Sequence, residues 1–277
     1  PSVDPSAATS RPKGVRVRHA AYTVSGRAFP GWLQLAAPQR LWACLPLFHI
    51  NAQAYSLMTT LAHGFPMALT AKFHASSFWH DARALEVTEV NVVGAMLEFL
   101  AAQPETTWTE SSLRTIYAAP GPPPEQRERL EARFRVRILT GYGMSENPFG
   151  CAETPTSRLK PGSAGRPRQP ASGASVNEMR IVREAGGEAA TDEVGELCFR
   201  NPVMTPGYWN APEVTAATSK AGWLPTGDAG RRAPTGAVFP TGRNQKMIRS
   251  SAETRAPARD EATTRAHPAV RASHVSG

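Results

Sequence analysis

Cysteine is scarce here: Cys44, Cys151 and Cys198 are the only three in 277 residues. Their odd number and wide spacing exclude a disulfide framework and a CxxC metal site, and suit a reducing, cytoplasmic setting. Uninterrupted apolar runs of about 18 residues are also missing, so the sequence offers no transmembrane segment. The N-terminus, PSVDPSAATSRPKG, lacks both an apolar h-region and an initiator Met. It reads as a chain that starts inside a longer gene rather than as a signal peptide. Neither GxSxG, HExxH nor GxGxxG occurs, which argues against the corresponding hydrolases, zinc proteases and dehydrogenases. There are no internal repeats.

Acidic residues are in the minority, with 23 Asp and Glu against 31 Lys and Arg. The net charge of +8 and a pI near 9.9 raise the question of nucleic acid. Residues 231–277, however, hold nine basic and three acidic side chains and so account for +6 of it. That tail has no RNP-type aromatics, zinc spacing or long basic run. The expected partner is therefore a small anionic ligand and no nucleic acid. With 41% hydrophobic residues the chain can bury a sizeable core, while 25 Pro and 22 Gly imply many turns.

From 41 to 140 short apolar runs alternate with longer amphipathic ones. Strands are expected at LWACLPLF (41–48), FPMALT (65–70), NVVGAM (91–96), LRTIYAA (113–119) and RVRILT (135–140). Helices are expected at 52–64, stopped by Gly64, at 76–87 with Ser76 or Ser77 as N-cap, and at 122–134. The last opens on prolines and offers Glu125–Arg129 and Glu131–Arg135 as i,i+4 pairs. This alternation predicts an α/β fold with a mostly parallel, doubly covered sheet. Residues 155–175 read as a long loop. SVNEMRIVRE and GELCFRNP then read as strands around a Gly-Gly turn at 186–187, in a small antiparallel subdomain. The division is 1–154 for the α/β core, 155–242 for the β-rich subdomain, and 243–277 for a weakly patterned, poorly ordered tail.

In an open parallel sheet, ligands bind beyond the carboxyl ends of the strands. That points to GYGMSE (141–146), read as the loop after RVRILT. There Tyr142 can stack on a base, Ser145 can donate to phosphate and Glu146 can hold Mg2+. An ordinary turn with a capping Glu would use the same residues. In GWLPTGD (222–228), Asp228 is either a turn former or an acceptor for a ribose diol. Arg243 in TGRNQKMIRS can reach phosphate or sit on the surface. Lys13 in ATSRPKG can meet phosphates, although no GxxxxGK[ST] is present. His49, at an expected strand end, is either structural or catalytic.

Taken together, ATSRPKG, LPLFH, AAPGPPPE, GYGMSE, GELCFRN–GYW, GWLPTGD and TGR–MIR stand in an order and spacing that resemble the AMP-forming acyl-CoA synthetases of the adenylate-forming superfamily. The similarity runs from about Asp4 to His274 and spans only the central half or so of a full family member. The resemblance implies part of the family's large N-terminal domain, with the C-terminal lid domain and its lysine missing. It implies that a small-molecule carboxylate attacks ATP to give an acyl-adenylate, and that coenzyme A then displaces AMP. By motif, Thr9 and Lys13 match the phosphate loop, while Ala119 and Pro120 flank adenine and Tyr142 stacks on it. Ser145 and Glu146 match the phosphate and Mg2+ contacts, Asp228 the ribose acid, Arg243 the nucleotide-contacting Arg and Lys246 the hinge. His49 resembles a residue near the acyl entrance, with the acyl pocket drawn from 91–97 and 147–151. LPLFHINAQ and GYGMSENPFG look most like the crotonobetaine/carnitine–CoA ligase branch.

The departures count too. The phosphate loop ahead of the PKG is shortened, and each charge-assisted hydrogen bond lost there costs about 1.5–3 kcal/mol. Pro225 replaces a usually basic position, Asn201 a usual Gly, and Ala252 and Thr254 break an SGEN-like segment. The alternative implied is a catalytically impaired fragment that retains at most nucleotide binding. A homodimer is possible on general grounds, and no residue pattern shows one.

Overall fold

The computed structural model describes residues 13–157, 162–170, 172–243, 248–250 and 253–255. It opens with α1 (His19–Leu33), a helix that the sequence reading did not foresee. Gly26 and Pro30 interrupt its helical pattern, yet both are used in packing. A Cβ on Gly26 would lie 2.5 Å from Met58 Cβ, so the glycine lets α1 lie directly against the next helix. That helix is a π-turn, Ala52–Leu57, continuing into α2 (Met58–His63), and it stops at Gly64 with φ +69° as expected.

Four of the five strands are shorter than the apolar runs that announce them, and the fifth is longer. They are β1 (Leu41–Ala43), β2 (Met67–Leu69), β3 (Glu89–Val92), β4 (Thr115–Ala118) and β5 (Arg137–Met144). Between them lie α3 (Phe78–Ala84), α4 (Gly94–Ala101) and α5 (Pro124–Phe134). NVVGAM is therefore only half strand: β3 ends at Val92 and Gly94 already begins α4. Ser77 does occupy the N-cap of α3, but its hydroxyl donates to Asp81 Oδ2 (2.8 Å) instead of capping the backbone. Neither ion pair expected on α5 forms. Arg135 lies past the helix end at φ +53° and stacks over Trp108, while Glu131 pairs with Arg127 (3.5 Å) and accepts the Ile138 N–H (2.7 Å).

One sheet has the order β2-β1-β3-β4-β5-β6-β7, with β6 at Asn147–Ala152 and β7 at Arg166–Pro167. The first five strands are parallel. The β5–β6 and β6–β7 pairings are antiparallel, so the sheet is mixed. Neighbouring residues on β4 and β5 point to opposite faces: Ile116 and Ile138 pack with Trp79, Leu97 and Phe134, whereas Tyr117 and Leu139 pack with Phe29, Trp32 and Tyr55. Both faces are thus covered, as the sequence pattern demands.

The second sheet is fully antiparallel, in the order β11-β10-β9-β8, from β8 (Glu178–Val182), β9 (Gly195–Arg200), β10 (Leu224–Arg232) and β11 (Val238–Arg243). The turn between β8 and β9 has Gly186 and Gly187 at φ +87° and +81°. A short helix, α6 (Pro212–Thr218), precedes β10. Within the tail, β12 (Ile248–Ser250) pairs with β13 (Glu253–Arg255). β7 joins the first sheet, so the segment from 155 onward serves both sheets. No helix among the described residues is long and apolar enough to cross a membrane.

Glu89, on β3, is fully buried, and neither carboxylate oxygen has a hydrogen-bond partner. Burial raises its pKa well above the ordinary carboxylate value, so it is held as the neutral acid. The unfolded chain ionises this group as pH rises past about 4.5 while the native state does not, and stability falls over that window. Glu89→Gln is expected to raise the urea midpoint at pH 8 and to leave it nearly unchanged at pH 4. An equal gain at both values would contradict a protonated Glu89.

Candidate functional site

β5 does not end where the parallel strands end. Val92, Ala118 and Thr140 are in register at the carboxyl edge of β3, β4 and β5. GYGMSE, expected as a loop, instead continues β5 to Met144 and turns at Ser145 and Glu146 into β6. The pairs are Gly141 with Ala152, Tyr142 with Cys151 and Met144 with Asn147. The reason is steric as well as hydrogen-bonding. A Cβ on Gly141 would collide with Tyr117 Oη, and one on Gly150 with the Tyr142 carbonyl. The two glycines let the hairpin lie flat, and it carries Tyr142, Ser145 and Glu146 beyond the sheet edge. Ala119, half-buried, and Pro120, exposed, follow β4, and the Pro120 carbonyl lies 3.2 Å from where a Cβ on Gly94 would be.

Tyr142 is half-buried, with its ring stacked on Phe199 (centroids 6.0 Å apart, planes at 14°). Its hydroxyl donates to Asp228 Oδ2 at 2.6 Å, across the gap between the two sheets. Burial and then the Asp228 carboxylate push the phenol pKa up, so Tyr142 remains a donor. Asp228 lies inside β10 rather than in a free turn, at a bulge where the pairing with β9 shifts between Pro225 and Ala229. Pro225, facing Cys198, starts that irregularity, in keeping with proline's confinement to such places in sheets. Thr226 shapes the bulge: its buried hydroxyl donates to the Leu197 carbonyl (2.9 Å) and accepts the Asp228 N–H (3.1 Å). Gly227, at φ +74°, gives its N–H to Glu196 Oε1 (2.8 Å). Arg243 is the Cα partner of Asp228 on β11.

Glu146 is half-buried, and its Oε1 accepts the Tyr208 hydroxyl at 2.8 Å. Lys13 Nζ lies 5.6 Å from the centroid of the Tyr208 ring, so one tyrosine links the PKG lysine to the hairpin acid. The segment after Lys13 is bonded to the GYW segment through Arg16 N–H to Gly207 O (3.0 Å) and Trp209 N–H to Gly14 O (2.7 Å). Ser145 is exposed at the turn. His49 is half-buried ahead of the π-turn, where its Nδ1 accepts the Asn51 N–H (3.3 Å). Burial lowers its pKa, so the imidazole is neutral at pH 7. None of its described contacts is with the hairpin group. Thr9 and Lys246 lie outside the described residues.

Tyr142, Glu146, Asp228, Lys13 and the backbone of Arg243 are thus brought to one end of the molecule. Sequence reasoning missed Tyr208, Thr226 and Glu196, although each lies in a motif already singled out. A cleft of about 410 Å³ lined by Gln34, Gln39, Arg114 and Arg137 opens at the other end, at the amino termini of β4 and β5. Among the described residues no three His, Cys, Asp or Glu side chains form a metal cluster. A lone, half-buried Glu146 with a tyrosine on one oxygen nonetheless fits Mg2+. That ion takes one or two carboxylates and completes its shell with water and phosphate oxygens.

A family model described as AMP-binding enzyme matches residues 6–209. The sulfoacetate–CoA ligase of Cupriavidus necator is 31% identical over 96% of this chain and 51% of its own length. The oxalate–CoA ligase of Arabidopsis thaliana is 30% identical over 96% and 52%, and the crotonobetaine/carnitine–CoA ligase of Citrobacter koseri 29% over 98% and 53%. O-succinylbenzoate coenzyme A synthetase of Bacillus subtilis, solved with ATP and magnesium ion, superposes with a TM-score of 0.83 at 29% identity, over 97% of this chain and 55% of that one. The chain spans about half the length of the relatives it matches.

Thr226→Val keeps the shape of the side chain and leaves the Leu197 carbonyl and the Asp228 N–H without their partner. A loss of about 1–3 kcal/mol in urea unfolding is expected. An unchanged midpoint would mean that the bulge holds without the hydroxyl.

Proposed function

The chain belongs to the AMP-binding enzyme family, and from that premise we propose that it carries the nucleotide-binding core of an AMP-forming acid–CoA ligase. One observation carries the reading: Tyr142 and Asp228 are bonded to each other across two sheets, beside a hairpin whose turn presents Glu146. An aromatic ring and a carboxylate at that spacing suit an adenosine, with the base against Tyr142 and the ribose hydroxyls at Asp228. Ala119 and Pro120 flank the base. By their motifs, Ser145, Lys13 and Thr9 are assigned to the phosphates and Arg243 to the nucleotide. Lys246 marks the hinge and His49 the acyl entrance.

In the reaction proposed, a carboxylate oxygen attacks the α-phosphorus of ATP, and the bond to pyrophosphate breaks. The sulfur of coenzyme A then attacks the acyl carbon, the thiol proton is lost and AMP leaves. Such chemistry depends on positioning and charge neutralisation more than on covalent help from side chains. Glu146 would hold Mg2+, which when bound neutralises phosphate charge. Tyr208 fixes the orientation of the Glu146 carboxylate, and the Lys13 ammonium beside the same ring supplies positive charge toward the phosphates. Sulfoacetate and oxalate, named for two of the relatives, are short acids with two negative groups, which supports a small polar acid as substrate. The half-length span of the match favours nucleotide binding over full turnover by this chain alone.

Calorimetric titration with AMP and with Mg-ATP tests the reading. Binding of both is expected, weakened at least tenfold by Asp228→Ala with the thermal midpoint within a few degrees. No heat up to millimolar ligand would refute it. Carboxylate-dependent ATP–pyrophosphate exchange by the 277-residue chain is expected to be barely detectable; robust exchange would show that this chain is sufficient for adenylation.

A further inference from the structure

Arg168 follows β7 and is 2% exposed. Its Nη1 donates to Tyr55 Oη and to the Pro148 carbonyl (2.8 Å), and Tyr55 Oη donates to that same carbonyl. Three rings surround the guanidinium, with centroids at 4.6 Å (Trp32), 4.8 Å (Tyr55) and 5.4 Å (Tyr117). No carboxylate among the described residues pairs with it, and Nε and Nη2 make no hydrogen bond. The buried Tyr117 hydroxyl beside it makes none either.

These orphaned groups converge on one place. A Cβ on Gly141 would collide with Tyr117 Oη and lie 2.8 Å from Arg168 Nη2. Gly141 immediately precedes Tyr142, and Pro148 belongs to the stretch expected to line the acyl pocket. From the surface the approach is thin. Gly143 is exposed, and Tyr55 Oη lies 3.4 Å from where its Cβ would be. Tyr117 Oη and Arg168 Nη2 therefore face the same backbone step, directly beneath Gly141.

Burial disfavours the charged form of Arg168, but an arginine stays cationic in a protein. Aromatic faces and a carbonyl offset part of its lost hydration, and a counter-ion is still missing. Nε–H, Nη2–H and a phenolic O–H are all donors, and the partner they lack is an anion. We propose that Arg168, with Tyr117, selects a short carboxylic acid bearing a second negative group, which pairs with the guanidinium while the reacting carboxylate faces the nucleotide. This rests on the function proposed above.

The test is calorimetry on the full chain with oxalate, malonate and sulfoacetate against acetate and propionate, with and without AMP. Each dianion is expected to bind at least tenfold more tightly than the monoanions. Arg168→Met is expected to abolish that preference, to keep AMP affinity within threefold and not to lower the thermal midpoint, because it removes an uncompensated buried charge. A merely structural arginine would instead lose midpoint and AMP binding together. Tyr117→Phe, which keeps the ring, is expected to reduce the preference severalfold and covers the case in which Arg168→Met does not fold. No dianion binding, equal affinity for dianions and monoanions in the parent chain, or an unchanged preference in folded Arg168→Met would overturn the proposal. Dianion preference without AMP binding would leave the arginine site standing and remove the nucleotide reading.

Discussion

The hydrogen bond from Tyr142 to Asp228 is the constraint on which the arrangement of the candidate site depends. It joins β5, which outruns its parallel neighbours, to the bulge at which β10 loses register with β9. Placed together and partly buried, they fix the direction of both side chains. Hydrogen bonds to an ionised acceptor are about twice as strong as neutral ones, and in a low-dielectric gap the orientation they impose is hard to lose.

Around that bond the join is polar. Asn177 donates to the Phe149 and Gly150 carbonyls, while Asn201 bonds to both Asn147 and Asn177. Arg127 and the buried Glu153 form a 2.8 Å pair at the base of the hairpin, where Glu153 also accepts the Thr140 N–H. An apolar join of the same area would tolerate sliding. Directional bonds between asparagines do not, since each amide must satisfy its own donors and acceptors at once. Asn201, at a position where related sequences are expected to carry glycine, fills its place with three of these bonds, including the one it accepts from the Val203 N–H (3.1 Å). The substitution is therefore accommodated by the network.

Much of this was legible in the sequence, and what was not follows a physical pattern. The alternation of apolar and amphipathic runs located β1 to β5, α3 and α5, because burial on two faces leaves a periodic trace. It overran the ends: Gly94 looks like the interior of an apolar strand, yet the helix start is decided by backbone geometry after Val93. α1 was hidden because Gly26 and Pro30 obey a close approach between helices, which no local rule encodes. The GYGMSE glycines pointed to a loop on propensity. For Gly141 the actual reason is crowding by Tyr117, a contact made across a long sequence separation. Asp228 and Glu146 were singled out through their motifs, while Tyr208 and Thr226, which bond to them, escaped because a hydroxyl that positions another group has no signature of its own.

Two buried ionisable groups show how the chain handles buried charge in two different ways within one fold. Glu89 begins β3 with no partner, and it escapes the cost of burial by keeping its proton. That solution is open to a carboxyl, whose ordinary pKa lies only a few units below neutrality. Arg168 sits on the α1 face among Trp32, Tyr55 and Tyr117 and has no such escape, because losing its proton would cost far more than burial does. A fold that retains an uncompensated cation at that depth retains a standing electrostatic demand there. The hairpin bearing Tyr142 and Glu146 is bonded to that cation through the Pro148 carbonyl. Whatever satisfies the demand therefore acts on the same hairpin that presents Tyr142 and Glu146.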